Sequence, residues 1–218
     1  MQFKLNKNTS TTAPAYSLGE EILNAGSHAI GAALAVFAFF LLIDRYSPTP
    51  KNYFCITVYC ASLFCLYAVS TAYHCLPRGK AKDILRKLDH CSIFLLISGT
   101  YAPICLMLMD GLMSRLVLCL VYLAAVCGII LNAINVNKFS KFSMICYLAM
   151  GWSVILIAKP AINHLNWEQI FWLVEGGVFY TVGAAIYLIG KKVQYMHSVW
   201  HIFVLFGSIC HFITLYIL

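Results

Sequence analysis

The chain has 218 residues, 61% of them hydrophobic and only 11% charged, with a net charge of +7 and a mean hydropathy of +0.81. A water-soluble globule carries about 45–50% apolar residues, so this composition excludes a soluble domain and predicts an all-α polytopic membrane protein. The positive balance then speaks for a membrane surface and not for nucleic acid.

Residues 1–15 read as a disordered arm, rich in Asn, Thr and Ser over 6–12. Residues 16–218 read as one seven-transmembrane bundle. A spanning helix needs about 20 mainly apolar residues, and seven such stretches follow one another, roughly 22–43, 53–76, 89–109, 115–133, 142–163, 168–190 and 197–218. The first begins just after Glu20 and Glu21 and has no small-residue cleavage site behind it, so it is expected to stay as a mature helix. With seven spans, the amino-terminal arm and loops two, four and six share one side. That side holds eleven basic residues (Lys4, Lys7, Arg78, Lys80, Lys82, Arg86, Lys87, Lys138, Lys141, Lys191, Lys192) against four on the other (Arg45, Lys51, Arg115, Lys159). The positive-inside rule then puts the amino terminus in the cytoplasm and the carboxyl terminus outside. Loop 78–87 is expected to lie against the anionic headgroups of the inner leaflet. The ten cysteines fall nearly all within apolar spans, with no Cys-x-x-Cys pair, and read as small apolar side chains.

Polar residues inside the spans carry the chemistry, because ionisable groups there are costly and face a cavity or one another. His197-Ser-Val-Trp-His201 opens the last stretch, and residues i and i+4 share one helical face. Ser70 and His74 have the same spacing at the end of the second stretch, and Asp89 begins the third. In the seven-span topology all five lie at the cytoplasmic ends of their helices. Three histidines from two helices leave a fourth position open on a tetrahedral zinc ion, the pattern of a catalytic site. Each residue also has a plainer role. A histidine can serve packing, Asp89 can cap the start of its helix, and Ser70 can bond a carbonyl one turn earlier.

At these residues the chain resembles the hemolysin III family, the bacterial branch of the progestin and adiponectin Q receptor superfamily. The resemblance covers most of 16–218 and rests on Glu20-Glu21 through Asn24, Ser27 and His28, on Ser70-Thr-Ala-Tyr-His74, and on Leu88-Asp89-His90 with Gly99-Thr-Tyr-Ala-Pro103. It continues through Gly176-Gly177 with Tyr180, Thr181 and Gly183, and ends on His197-Ser-Val-Trp-His201. It implies a protein of the bacterial plasma membrane with zinc on His74, His197 and His201, Asp89 holding the zinc-bound water and Ser70 in support.

The remaining polar residues rank lower. His28, about eight residues into the first span, reads as a structural hydrogen-bonded histidine sharing a face with Asn24, with approach to the zinc cavity as the alternative. His90 points about 100° away from Asp89 and so does not share its role. His211, about 15 Å along the helix from His201, reads as a packing residue, and Glu175 has no assigned role. Gly176, Gly183 and Gly190 form a small-residue stripe for close helix contact. Pro103 is expected to bend the third helix.

An open zinc position implies hydrolysis, with water activated at the metal and Asp89 as the proton acceptor. A site within the inner leaflet implies membrane lipids as partners, with a lipid amide or ester as the substrate, and the superfamily resemblance extends to alkaline ceramidases. Two other classes stand beside it, a receptor-like membrane sensor with structural zinc and a pore-forming cytolysin.

Overall fold

A computed structural model describes residues 14–190 and 193–217. Most of the expected amino-terminal arm, together with Lys4, Lys7, Lys191, Lys192 and Leu218, lies outside the described residues. The described chain is all helical, with α1 over Leu18–Arg45, α2 over Pro50–Cys75, α3 over Lys80–Pro103, α4 over Leu112–Trp152, α5 over Ala158–His164, α6 over Trp167–Ile189 and α7 over Met196–Tyr216. Local signals set several of the starts. Ser17 and Glu20 form a reciprocal capping box at α1, Thr49 caps α2 ahead of Pro50, and Asn166 with Gln169 repeats the capping box at α6.

Among the described residues, six continuous helical elements are long and apolar enough to cross a membrane. One of them, Leu112–His164, has 53 residues and would run about 80 Å if straight, well beyond the ~30 Å apolar core of a bilayer. It is not straight. Asn135 has the non-helical angles φ −156° and ψ 92°, and its Oδ1 accepts a hydrogen bond from Lys138 N at 3.0 Å, the geometry of a cap on a second arm. Ser143 Oγ donates to Asn132 Oδ1 at 2.6 Å and Asn132 Nδ2 donates to Tyr147 at 3.1 Å. Residues 11 and 15 positions apart would lie about 16 and 22 Å apart along one axis, so the chain reverses between the two arms. The second arm is itself irregular, passing through a 3₁₀ turn at Ser153–Ile157 before α5.

Around the bundle, α1 packs on α2 and α7, α2 on α3, α3 on α4, and α6 on α7, while α4 and α5 barely touch α6. The expected glycine stripe does face α7. A Cβ on Gly176 would strike the His211 ring, one on Gly190 would strike Met196, and one on Gly183 would lie 3.0 Å from Phe203 Cβ. Pro103 ends the regular part of α3, and a π-helical turn follows at Ile104–Leu108, as expected where a proline removes a backbone donor.

Two expectations need correction. Asp89 does not cap its helix, because α3 starts at Lys80 with Gly79 in the cap position and Asp89 lies well inside it. Loop 78–87 is mostly the first turns of α3, with Arg78 and Lys80 exposed and its other three cations reaching back onto the protein. Lys82 is 1% exposed and bonds Glu21 Oε1 at 2.7 Å and Leu76 O at 2.9 Å. Arg86 reaches Asn137 Oδ1 at 2.7 Å and Lys87 reaches Ala133 O at 3.2 Å, which ties α3 to the reversal within α4.

Candidate metal centre

The start of α1, the end of α2, the start of α3, the end of α6 and the start of α7 meet at one end of the bundle. There, one nitrogen from each of His74, His197 and His201 lies within 4.8 Å of the other two. His201 Nε2 and His197 Nε2 are 3.1 Å apart. At a Zn–N length of about 2.0–2.1 Å, tetrahedral ligands stand roughly 3.3 Å from one another, so this pair is already at a ligand–ligand spacing.

The outer nitrogens of His74 and His201 are held in the way a metal site requires. His74 Nδ1 is 2.6 Å from Glu21 Oε2, and Glu21 Oε1 in turn accepts from buried Lys82. Donation from Nδ1 leaves the Nε2 lone pair of His74 facing the cluster, and that Nε2 is buried with no hydrogen-bond partner. His201 Nδ1 lies 3.3 Å from the Asn24 carbonyl, while Asn24 Oδ1 accepts from Ser198 Oγ at 2.6 Å. A carboxylate on one ligand and a carbonyl on another are the usual partners that fix the tautomer of a metal-binding histidine. The donor set therefore fits a zinc ion with an open position.

Ser70 and Asp89 border this centre and are not part of the triad. The Ser70 hydroxyl is buried without a hydrogen-bond partner beside the Asp89 carboxyl. Asp89 stands between two cavities. The smaller is a vestibule lined by Pro14, Tyr16, Tyr73, Arg86, His90, Tyr187, His197 and Trp200, in which the Tyr16 ring stacks on His197 at 4.7 Å. The larger has a volume of about 300 Å³ and runs between α3, the second arm of α4, α5, α6 and α7. Its lining includes the outward-facing Ile155, Ile162 and Val174, which mark a lateral opening between α5 and α6.

His28 departs from expectation. It is 2% exposed and neither ring nitrogen has a hydrogen-bond partner. Its ring stacks on His201 at 3.7 Å, and it lines the large cavity. His90 is outside the triad, as its position on the helix implied, although it borders both cavities. Glu21 and Tyr16 carry roles that the sequence alone did not assign. The available signal was the buried stripe Glu20, Asn24, His28, Gly31 on α1, polar at helical spacing within an otherwise apolar span.

A family model described as Haemolysin-III related matches residues 16–212. The chain belongs to the haemolysin-III family. This haemolysin-III protein is 39% identical over 191 residues to Hemolysin-3 of Bacillus cereus, covering 87% of each chain. It is 35% identical over 199 residues to the Hemolysin-3 homolog of Bacillus subtilis, covering 90% of this chain and 93% of that one. It also matches the human monocyte to macrophage differentiation factor at 25% identity over 166 residues, 73% of this chain and 68% of that one, which fits placement in the progestin and adiponectin Q receptor superfamily. Together with its spanning helices, the family makes it a multi-pass protein of the bacterial plasma membrane.

Proposed function

We propose that this protein is a seven-span, zinc-dependent hydrolase acting on a lipid amide or ester at the inner leaflet. One observation carries the reading. A triad of histidines, with the outer nitrogens of His74 and His201 already held, lies next to Asp89 at one end of an apolar cavity whose other side opens between α5 and α6. Two arms of α4 separated at Asn135 supply two spans, which brings the count to seven. The basic excess at the triad's end puts that end in the cytoplasm and the carboxyl terminus outside. Arg78 and Lys80 stay exposed there to meet anionic headgroups.

Zinc held by His74, His197 and His201 supplies a Lewis acid and a place at which water is activated near neutral pH. Asp89 would accept a proton from the attacking water and pass it to the amine or alcohol that leaves. Ser70, whose hydroxyl lies beside the Asp89 carboxyl, would donate to that carboxyl and keep it aimed during turnover. The acyl chain enters between α5 and α6 and is held among Leu66, Ile93, Leu96, Ile97 and Val204. Tyr16 and His197 close the vestibule against bulk water.

The deciding experiment compares lipid extracts before and after incubation with purified, zinc-loaded protein, alongside Asp89→Asn. Zinc retention with loss of turnover in the variant supports the hydrolase. Zinc without turnover in the parent supports a second reading, a membrane sensor, which one observation favours. The donors join α2 to α7, and α1 holds two of them through Glu21 and Asn24, so metal loss would loosen three helices at once. Zinc-independent ion flux would instead indicate a pore.

A further inference from the structure

His211 has no part in the metal centre. It stands ten residues beyond His201 on α7, about 15 Å further along the axis, which is close to half the ~30 Å apolar thickness of a bilayer. An ionisable side chain at that depth is costly unless it meets a partner. Its Nδ1 is buried with no hydrogen-bond partner. The opposite edge of the ring, Cδ2 and Nε2, lies against Gly176, where a Cβ would collide with it, so Nδ1 is turned away from the α6 backbone. The ring borders the same 300 Å³ cavity that reaches His28 and Asp89 at the metal end. The ring is already hydrogen-bonded on its other side to the Leu173 backbone, which leaves Nδ1 as the atom without a partner, and the hydroxyl of the adjacent Tyr180 is engaged elsewhere. Tyr180, whose ring lies 5.4 Å from that of His211, shares its hydroxyl with Ser208 at 2.8 Å, and Ser208 also takes the Tyr67 hydroxyl at 2.7 Å. Between the two polar ends the wall is Leu66, Ile93, Leu96, Ile104, Leu173 and Val204.

We propose that His211 is a second recognition point of the lipid cavity, and that its ligand is an acyl chain bearing a hydroxyl far from its carbonyl end. With the other ring nitrogen donating to the Leu173 backbone, Nδ1 is an acceptor that a hydroxyl can satisfy by donating to it, and an apolar chain of the right length fills the wall between the two poles. This deepens the lipid-hydrolase reading and rests on it for the carbonyl end only. His211 selects which chain binds, whether or not the chain is then cut.

The test is equilibrium binding to the purified, zinc-loaded protein in detergent, using dodecanoyl amide, its terminally hydroxylated form and its beta-hydroxy form as competitors of a fluorescent acyl amide. A partner for an orphaned buried group brings about tenfold in affinity, so the terminally hydroxylated chain should bind about tenfold more tightly than the other two. In His211→Leu the three should bind alike, with unchanged zinc content. Equal affinities in the parent, or a preference that survives in His211→Leu, overturns the proposal, and so does failure of all three to compete, since the cavity would then not hold acyl chains. The preference with no turnover would refute the hydrolase reading and leave this one standing. Turnover without the preference would do the reverse.

Discussion

Glu21 joins three helices at the metal centre, and replacing it by Gln isolates its charge from its shape. Oε2 meets His74 Nδ1 at 2.6 Å and Oε1 meets Lys82 Nζ at 2.7 Å, with side-chain exposures of 0% for His74, 1% for Lys82 and 18% for Glu21. A glutamine carbonyl can still accept from one of them. Its NH₂ then faces the other, either the Lys82 ammonium or the His74 N–H, and one contact becomes donor against donor. Losing a charge-assisted hydrogen bond costs about 1.5–3 kcal/mol, and Lys82 keeps the Leu76 carbonyl and the face of Tyr73, 5.0 Å from the ring centroid. A partner of a metal-binding histidine is worth typically about 10–100-fold in metal affinity, which converts to about 1.4–2.8 kcal/mol, so the two routes agree. Competition between protein and a chromophoric chelator should show zinc affinity lowered by that factor, and thermal unfolding in detergent should show a matching loss of stability. Lys82→Met should lose stability while keeping zinc affinity near the parent's. Parental zinc affinity in Glu21→Gln would refute the assignment of Glu21 as the carboxylate behind His74.

Replacing His197 or His201 by Ala should lower zinc content sharply, read by elemental analysis after purification, and unchanged content in both would remove the metal centre. A Cβ on Gly128 would enter the ring of fully buried Phe94, so Gly128→Ala should cost about 1–3 kcal/mol by overpacking. Exposed Gly26 has nothing within 4 Å of an added Cβ, and Gly26→Ala should gain up to about 1 kcal/mol of helix propensity; thermal unfolding of the pair checks both signs. A reporter fused after Leu218 should be active outside the cytoplasm, and cytoplasmic activity would invert the topology. At the other end of the bundle, Arg115 and Lys51 hold the Asp110 carboxyl below its ordinary range. A depressed carboxylate stabilises above its unfolded value and the contribution vanishes as pH falls through the folded one, so Asp110→Asn should flatten only the acid limb of a stability–pH curve, slightly, because the group is exposed.

The apolar stretches were readable because lipid demands one simple pattern, and the His-x-x-x-His spacing was readable because a helix puts those rings on one face. The Asn135 break was harder to see. Asn-Ala-Ile-Asn-Val-Asn contains neither Pro nor Gly, and its cap acts only when the second arm folds back onto Asn132. Lys82 looks like any juxtamembrane cation until Glu21, 61 residues earlier, is placed beside it. His28 was misjudged for a related reason. Sequence gives its depth on α1 but not the stacking on His201, which depends on how closely α1 and α7 approach.

That approach has a consequence for biosynthesis. Asn24 contacts Ser198 and His201 across 174 and 177 residues, and Tyr195 N bonds Glu20 across 175, so the first and last helices are neighbours in space. Helices enter the membrane in order as the chain is made, and the polar stripe of Glu20, Asn24 and His28 on α1 must wait until α7 emerges for the contacts that Tyr195, Ser198 and His201 bring. The donor set does not exist on any truncated chain, and metal loading is confined to the completed protein. Nascent chains stalled before Met196 should therefore be the form that membrane quality-control proteases recognise, since they alone present that polar stripe without its partner.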